Sequence, residues 1–264
     1  MTNTVRSKDG TPIAYSKVGS GPALILVDGA LCYRSVGPSG PLAELLAPHF
    51  AVYTYDRRGR GESGDTAPYA VEREVEDLDA LIREAGGSAA LYGISSGAAL
   101  ALEAAARLPA VGKLAVYEAP FIVDDSAPPR PSDLTDRLRT LVESGRRGAA
   151  VALFMKTVGT PAFFRLLMSL MPMWRTLKAV AHTLPYDFAI LGDSGSGRPL
   201  PSSRWSGIKA PALVMAGGKS PAWMRNAMRS VSELLPGSRY RILEGQTHLL
   251  KAEVVAPVLA EFLA

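Results

Sequence analysis

Gly93-Ile94-Ser95-Ser96-Gly97 is the segment of this 264-residue chain with the clearest capacity for chemistry. The short apolar run Ala89-Ala90-Leu91-Tyr92 enters it and the Ala-rich helical pattern Ala98-Ala99-Leu100 leaves it, so Ser95 falls on a strand-to-helix turn. Such a nucleophile elbow holds its serine in a strained backbone conformation, and only small neighbours such as Gly93 and Gly97 let the chain pass so close to itself. The Ser95 hydroxyl then projects alone at the N-terminal end of the next helix, where the Ser96 N–H is free to bind developing negative charge. A serine hydroxyl is a weak nucleophile near neutrality. It needs a base, and the base needs a third group to orient it.

Three histidines could supply the base. His49 precedes the strand pattern Ala51–Tyr55, at the wrong end of a strand for catalysis, and reads as structural. His182 lies far from any strand signal, where it could face a ligand or only a neighbouring helix. His248, in Glu244-Gly245-Gln246-Thr247-His248, follows the last strand pattern and precedes the terminal helix, on the same loop edge as Ser95, and is the expected base. The orienting acid is less routine. The loop after the penultimate strand reads Gly217-Gly218-Lys219-Ser220-Pro221 and carries no carboxylate. One strand earlier, Lys113-Leu114-Ala115-Val116-Tyr117-Glu118 places Glu118 at a strand end, and the order Ser95, Glu118, His248 suits a chain of this type. Glu118 is therefore preferred over Asp124, Asp125 and Glu244.

A second donor for an oxyanion is expected from Asp28-Gly29-Ala30-Leu31, after the Ala23–Val27 strand, where Gly29 lets backbone approach a reacting carbonyl. Gly29, Ala30 and Ser96 are the candidate oxyanion residues, and Asp28 reads equally as a bridge between loops. Asp56-Arg57-Arg58-Gly59-Arg60-Gly61-Glu62-Ser63 reads as a rigid turn that braces the site without doing chemistry. No metal or nucleotide motif occurs, so no cofactor is expected.

Short, β-branched apolar runs at Ala23–Val27, Ala51–Tyr55, Ala89–Gly93, Lys113–Tyr117, Ala212–Ala216 and Tyr240–Leu243 predict buried parallel strands. Helical patterns at 41–48, 71–85, 96–108, 221–235 and 252–262 alternate with them, and Lys8-Asp9-Gly10-Thr11 predicts an opening antiparallel hairpin. The fold class is thus a doubly wound α/β sheet, with active groups on loops at the carboxyl ends of its strands. Between 122 and 208 the strand rhythm stops, and Pro-punctuated helical patterns at 131–144, 149–158, 162–170 and 174–183 predict an inserted helical cap on a core of residues 1–121 and 209–264. Met155, Met168, Met171 and Met173 lie there beside Phe154, Phe163, Phe164 and Trp174, soft side chains suited to an irregular apolar ligand. Leu31, Met155, Trp174 and His182 are the candidate pocket residues.

Hydrophobic residues at 47% and charged residues at 20% are ordinary for a globular chain that can bury a large core. With no leader-like h-region and no run long enough to span a bilayer, a cytoplasmic protein with no membrane partner is expected. Cys32 alone can form no intrachain disulfide and reads as a packed thiol. The net charge of +4 is dispersed, so Arg57-Arg58 and Arg146-Arg147 read as solvated surface and nucleic acid is not expected as a partner.

The elbow, the D-R-R-G-R-G-E-S turn, the helical insertion and the terminal histidine together resemble the α/β-hydrolase superfamily over nearly the whole chain. Within it, Asp28-Gly29, the elbow, Glu118-Ala119-Pro120 and the missing acid near Ser220 resemble zearalenone lactonases, which use a Ser/Glu/His triad. Haloalkane dehalogenases also place a glutamate there but use an aspartate nucleophile. The resemblance implies a cofactor-independent serine hydrolase of a small apolar ester or lactone, and a homodimer is compatible with it. Two other readings stay open. One is a binding protein of this fold with little turnover; the other is an enzyme of this fold that cleaves a C–C bond or oxidises halide through a peracid.

Overall fold

The computed structural model describes residues 2–264. Its single mixed sheet has eight strands: β1 (Asn3–Arg6), β2 (Pro12–Val18), β3 (Ala23–Val27), β4 (Ala51–Tyr55), β5 (Ala89–Ile94), β6 (Val111–Tyr117), β7 (Ala212–Gly217) and β8 (Arg239–Leu243). They lie in the order β1-β2-β4-β3-β5-β6-β7-β8. The β1/β2 hairpin and the β2/β4 pair are antiparallel, and every later pair is parallel. The central strands are apolar on both faces because both faces are covered. Leu24 and Leu26 point into a cluster with α1 (Ser39–Leu46) and α10 (Ala252–Leu263). Ile25 and Val27, one residue out of phase, point into the larger cluster with α2 (Val71–Glu84), α3 (Ser96–Arg107) and α9 (Ala222–Leu234). This is the doubly wound α/β sheet that the spacing of strands and helices predicts, in the α/β-hydrolase arrangement that the resemblance implies.

Between β6 and β7 the chain forms only helices: α4 (Leu134–Glu143), α5 (Arg147–Thr157), α6 (Ala162–Ser169), α7 (Met173–Ala179), a 3-10 turn at Ala181–Thr183, and α8 (Leu184–Leu191). The helical patterns in the sequence reach the 3-10 turn but not α8, whose Pro185 sits in its first turn, a position that needs no backbone donor. The return connector is pinned to α3. Trp205 Nε1 donates to Glu103 Oε1 at 3.0 Å, and the Arg204 guanidinium lies 4.9 Å from the Trp205 ring centre. Among the described residues, no helix is long and apolar enough to cross a membrane.

Candidate active site

Ser95 stands between β5 and α3 with φ 59° and ψ −129°, a conformation that costs an L-residue energy and that the surrounding structure must enforce. The enforcement is steric. A Cβ on Gly97 would strike the carbonyl oxygens of Val27 and Asp28, and a Cβ on Gly93 would strike the Gly97 carbonyl. The two glycines therefore let the elbow press against both the end of β3 and its own helix. Ser95 N donates to Tyr117 O at 3.0 Å, which sets the elbow directly beside the end of β6.

Glu118 follows Tyr117 and is also held at positive φ, 47°, with no exposure to solvent. Its two oxygens have separate partners: Oε2 lies 2.9 Å from His248 Nδ1, and Oε1 accepts the Gly217 N–H at 2.7 Å. The loop after β7, where an acid is absent, thus supplies a backbone donor that fixes the acid from β6. The His248 loop is tied to the same place, with Tyr117 Oη donating to Thr247 O at 2.7 Å and Lys219 N to Gln246 O at 2.8 Å. The His248 side chain remains 35% exposed. Among the described residues, no hydrogen bond joins Ser95 Oγ to His248.

The rival acids are engaged elsewhere. Asp124 pairs with Ser126 and with Asn226 Nδ2, Asp125 is exposed, and the Glu244 carboxylate lies against Gly218. Gly29 is placed against the nucleophile, since a Cβ there would come within 2.9 Å of the Ser95 Cβ. Leu31 and Met155 are buried in the large core cluster, and Trp174 is partly buried against it. His182 turns to the Gly59 turn and to Asp65, 3.8 Å from its Nε2, while its Nδ1 is buried without a hydrogen bond. Burial and Arg147 hold its pKa below the ordinary value despite Asp65. His49 is exposed at the amino end of β4.

The D-R-R-G-R-G-E-S turn differs most from expectation. Arg57 and Arg58 are not solvated: each is 1% exposed, as is Arg60. Arg57 forms a fork with Glu74 at 2.7 and 2.8 Å, and its Nη1 reaches Asp187 Oδ1 at 2.7 Å. Arg58 pairs with Asp77 and Asp9. Arg60 Nη2 reaches Asp187 Oδ2 at 2.8 Å, while its Nη1 donates to Gly29 O at 2.7 Å. Ser96 Oγ donates to Asp187 Oδ1 at 2.7 Å. Burial raises the Asp187 carboxyl, but Arg60 and Arg57 together outweigh it and hold it below the usual carboxylate range. Arg57, Arg60, Glu74 and Asp187 thus form a charge-balanced buried cluster, the arrangement in which desolvated ions are tolerable. Asp187, on α8, is the site-linked residue that the sequence reading misses. A lone carboxylate in an apolar helix opening, Leu184-Pro185-Tyr186-Asp187-Phe188, was the available signal.

Asp28 accepts from Ser39 Oγ at 2.7 Å and is almost wholly enclosed. Burial pushes its pKa up to about 6 from 3.8, against the opposing pull of Ser39, Arg60 and Arg57. Because the folded value is the higher one, Asp28 favours the fold below pH 3.8 and loses that contribution as pH rises through about 6. Asp28→Asn is accordingly expected to raise stability at pH 8 by on the order of 2 kcal/mol and to leave it unchanged at pH 3.5. Denaturant melts at the two pH values check this, and a less stable variant at pH 8 refutes it. Burial likewise pushes the Cys32 thiol up to about 12, in keeping with a packed thiol.

A doubly wound sheet with a serine elbow after β5 and a histidine after β8 defines a class, and the chain belongs to the alpha/beta hydrolase family, whose model matches residues 19–257. It is similar to a solved alpha/beta hydrolase from Sphaerobacter thermophilus DSM 20745, with 52% identity, a TM-score of 0.91, and coverage of 99% of this chain and 100% of that one. It shares the fold of the enol-lactonase from Burkholderia xenovorans LB400, at 22% identity, TM-score 0.72 and 99% coverage of both chains. Over 103 residues it is 40% identical to a pimeloyl-[acyl-carrier protein] methyl ester esterase of Xanthomonas campestris pv. campestris (strain B100). That match covers 39% of this chain and 38% of the relative, so it spans well under half the length of the curated protein.

Proposed function

We propose that this hydrolase cleaves an apolar carboxylic ester or lactone through an acyl-enzyme formed on Ser95. The observation that carries the reading is the fully buried Glu118 carboxylate 2.9 Å from His248 Nδ1, at a strand end hydrogen-bonded to the Ser95 backbone. With Nδ1 committed to Glu118, Nε2 is the nitrogen left to take the Ser95 proton and later return it to the leaving group. Contacts of this kind tighten when substrate is bound. Glu118 fixes the tautomer and stabilises the imidazolium without itself taking the proton.

The developing oxyanion would be met by the Ser96 N–H at the start of α3 and by an N–H from Gly29 or Ala30. The buried cluster sets up both. The carbonyl that Arg60 grips belongs to the Gly29–Ala30 peptide, whose planarity aims the Ala30 N–H the opposite way, and Asp187 holds the Ser96 side chain. The helical insertion would cap the site and shape an apolar pocket, with Leu31, Met155 and Trp174 as lining candidates. The esterase name of a relative matched over 103 residues supports an ester, and the macrocyclic lactone is the narrower substrate suggested by the resemblance that Asp28-Gly29 and Glu118-Ala119-Pro120 carry.

Labelling with a fluorophosphonate, followed by turnover assays on short p-nitrophenyl esters and on macrocyclic lactones, tests this directly. Glu118→Gln is expected to lower kcat by about 10²- to 10⁴-fold with a smaller change in KM. Ser220→Ala and Asp124→Asn should stay within severalfold of the parent. A comparable loss in Asp124→Asn would move the orienting role away from Glu118, and absence of label on Ser95 would overturn the acyl-enzyme.

A further inference from the structure

The insertion carries a surface that the proposed chemistry does not use. α6 has no buried residue, although six of its eight side chains are apolar or aromatic. Phe163, Phe164, Leu166, Leu167, Leu170 and Met171 are 70%, 55%, 64%, 47%, 79% and 45% exposed. Exposed apolar side chains gathered on one short stretch mark a contact surface, whereas scattered ones do not.

The charges around that stretch say what the contact is. From Ser144 to Tyr186 there is no Asp or Glu, against six cations: Arg146, Arg147, Lys156, Arg165, Arg175 and Lys178. Among the described residues none of these six is in an ion pair with a carboxylate. They exceed the net +4 of the whole chain, so the remainder of the molecule is net negative. The stretch is therefore a cationic, apolar part of the insertion, whereas the core of residues 1–121 and 209–264 carries no net charge, with 18 Lys and Arg against 18 Asp and Glu. A second copy seated on the same face would bring like charges together. α6 rests on the insertion through Met168 and turns Phe163, Phe164, Leu166 and Leu167 to solvent, a convex apolar ridge that can enter a soft layer without a matching groove. Aromatic and leucine side chains beside unpaired Lys and Arg are the composition that binds lipid headgroup layers.

We propose that α6 and the turn that follows it form a peripheral docking face for an anionic lipid surface. The expectation of no membrane partner rests on the lack of a spanning segment, and peripheral docking requires none. The face would bring the hydrolase to a layer in which apolar esters dissolve.

Sedimentation with vesicles of phosphatidylcholine alone, and of phosphatidylcholine with one-third phosphatidylglycerol, provides the test, at low and at high salt. The expected result is binding to the anionic vesicles only, weakened by salt. Phe163→Ser/Leu166→Ser/Leu170→Ser and Arg165→Glu/Arg175→Glu should each weaken it by about tenfold or more. Unchanged thermal midpoints show that the exposed substitutions leave the fold intact. If the apolar variant fails to fold, the charge variant alone decides. The proposal is overturned by no binding to either vesicle, equal binding to both, parental binding by the charge variant, or a solution dimer that the apolar variant converts to monomer. Binding of soluble polyglutamate as tight as that of vesicles, and indifferent to the apolar substitutions, would also overturn it in favour of an acidic macromolecule.

Discussion

Ser95→Ala is expected to lower ester turnover by about 10⁶-fold, the loss seen when a serine nucleophile is removed from a working triad. The substitution removes one oxygen, introduces no atom into the crowded elbow, and leaves Ser95 N free to keep its bond to Tyr117 O. The thermal midpoint should therefore hold. Activity and stability separate cleanly in this variant, which distinguishes loss of the attacking atom from collapse of the turn. Parallel measurement of p-nitrophenyl ester hydrolysis and of the melting curve suffices. A variant retaining a hundredth of parental activity would end the covalent mechanism on Ser95, because loss of the attacking oxygen costs far more than that in a working triad.

Asp187→Asn has the largest expected effect on stability. The parent cluster balances Arg57 and Arg60 with Glu74 and Asp187 inside the protein. Removing one carboxylate charge leaves a buried cation uncompensated, a loss of about 3–5 kcal/mol where such pairs are broken elsewhere. In a chain of this size that lowers the melting midpoint by on the order of 10 °C. The same substitution loosens the Ser96 side chain and the Arg60 grip on Gly29, so the surviving folded enzyme should label more slowly with fluorophosphonate. Urea melts and labelling rates read the two effects separately. Stability within about 1 kcal/mol of the parent would show that the cluster is incidental.

The fold was legible because its signals are local. Ala23–Val27 and Ala51–Tyr55 are runs whose residues all seek cover, and the structure pairs them in parallel register from Ala23 with Ala51 onward. Glu118 could be reached from the missing acid beside Ser220 together with the order of strands. The charged residues of the 56–63 turn could not be placed this way. Whether an arginine is solvated depends on partners far along the chain, and Asp187 is 130 positions from Arg57. Charge composition alone cannot show such a pairing, so the surface reading of Arg57-Arg58 fails where the bracing role of the turn describes the geometry well. The aromatic and methionine side chains of the insertion split in the same way. Met155 is buried, while Phe163, Phe164, Met171 and Met173 are exposed. Residue type indicates the material, and only packing indicates which side of it meets solvent.

The bond from Ser96 to a carboxylate carried by the insertion constrains how the insertion can move and how the enzyme can be re-engineered. Swinging the insertion away in one piece would tear out the counter-ion of two arginines, so any movement of the insertion is expected to leave α8 docked. Grafting a foreign lid between β6 and β7 would have to carry an acid to the position of Asp187, or neutralise Arg57 and Arg60 together. The stability of the core and the sequence freedom of the insertion are coupled here through one side chain, and libraries that vary the insertion should hold it constant.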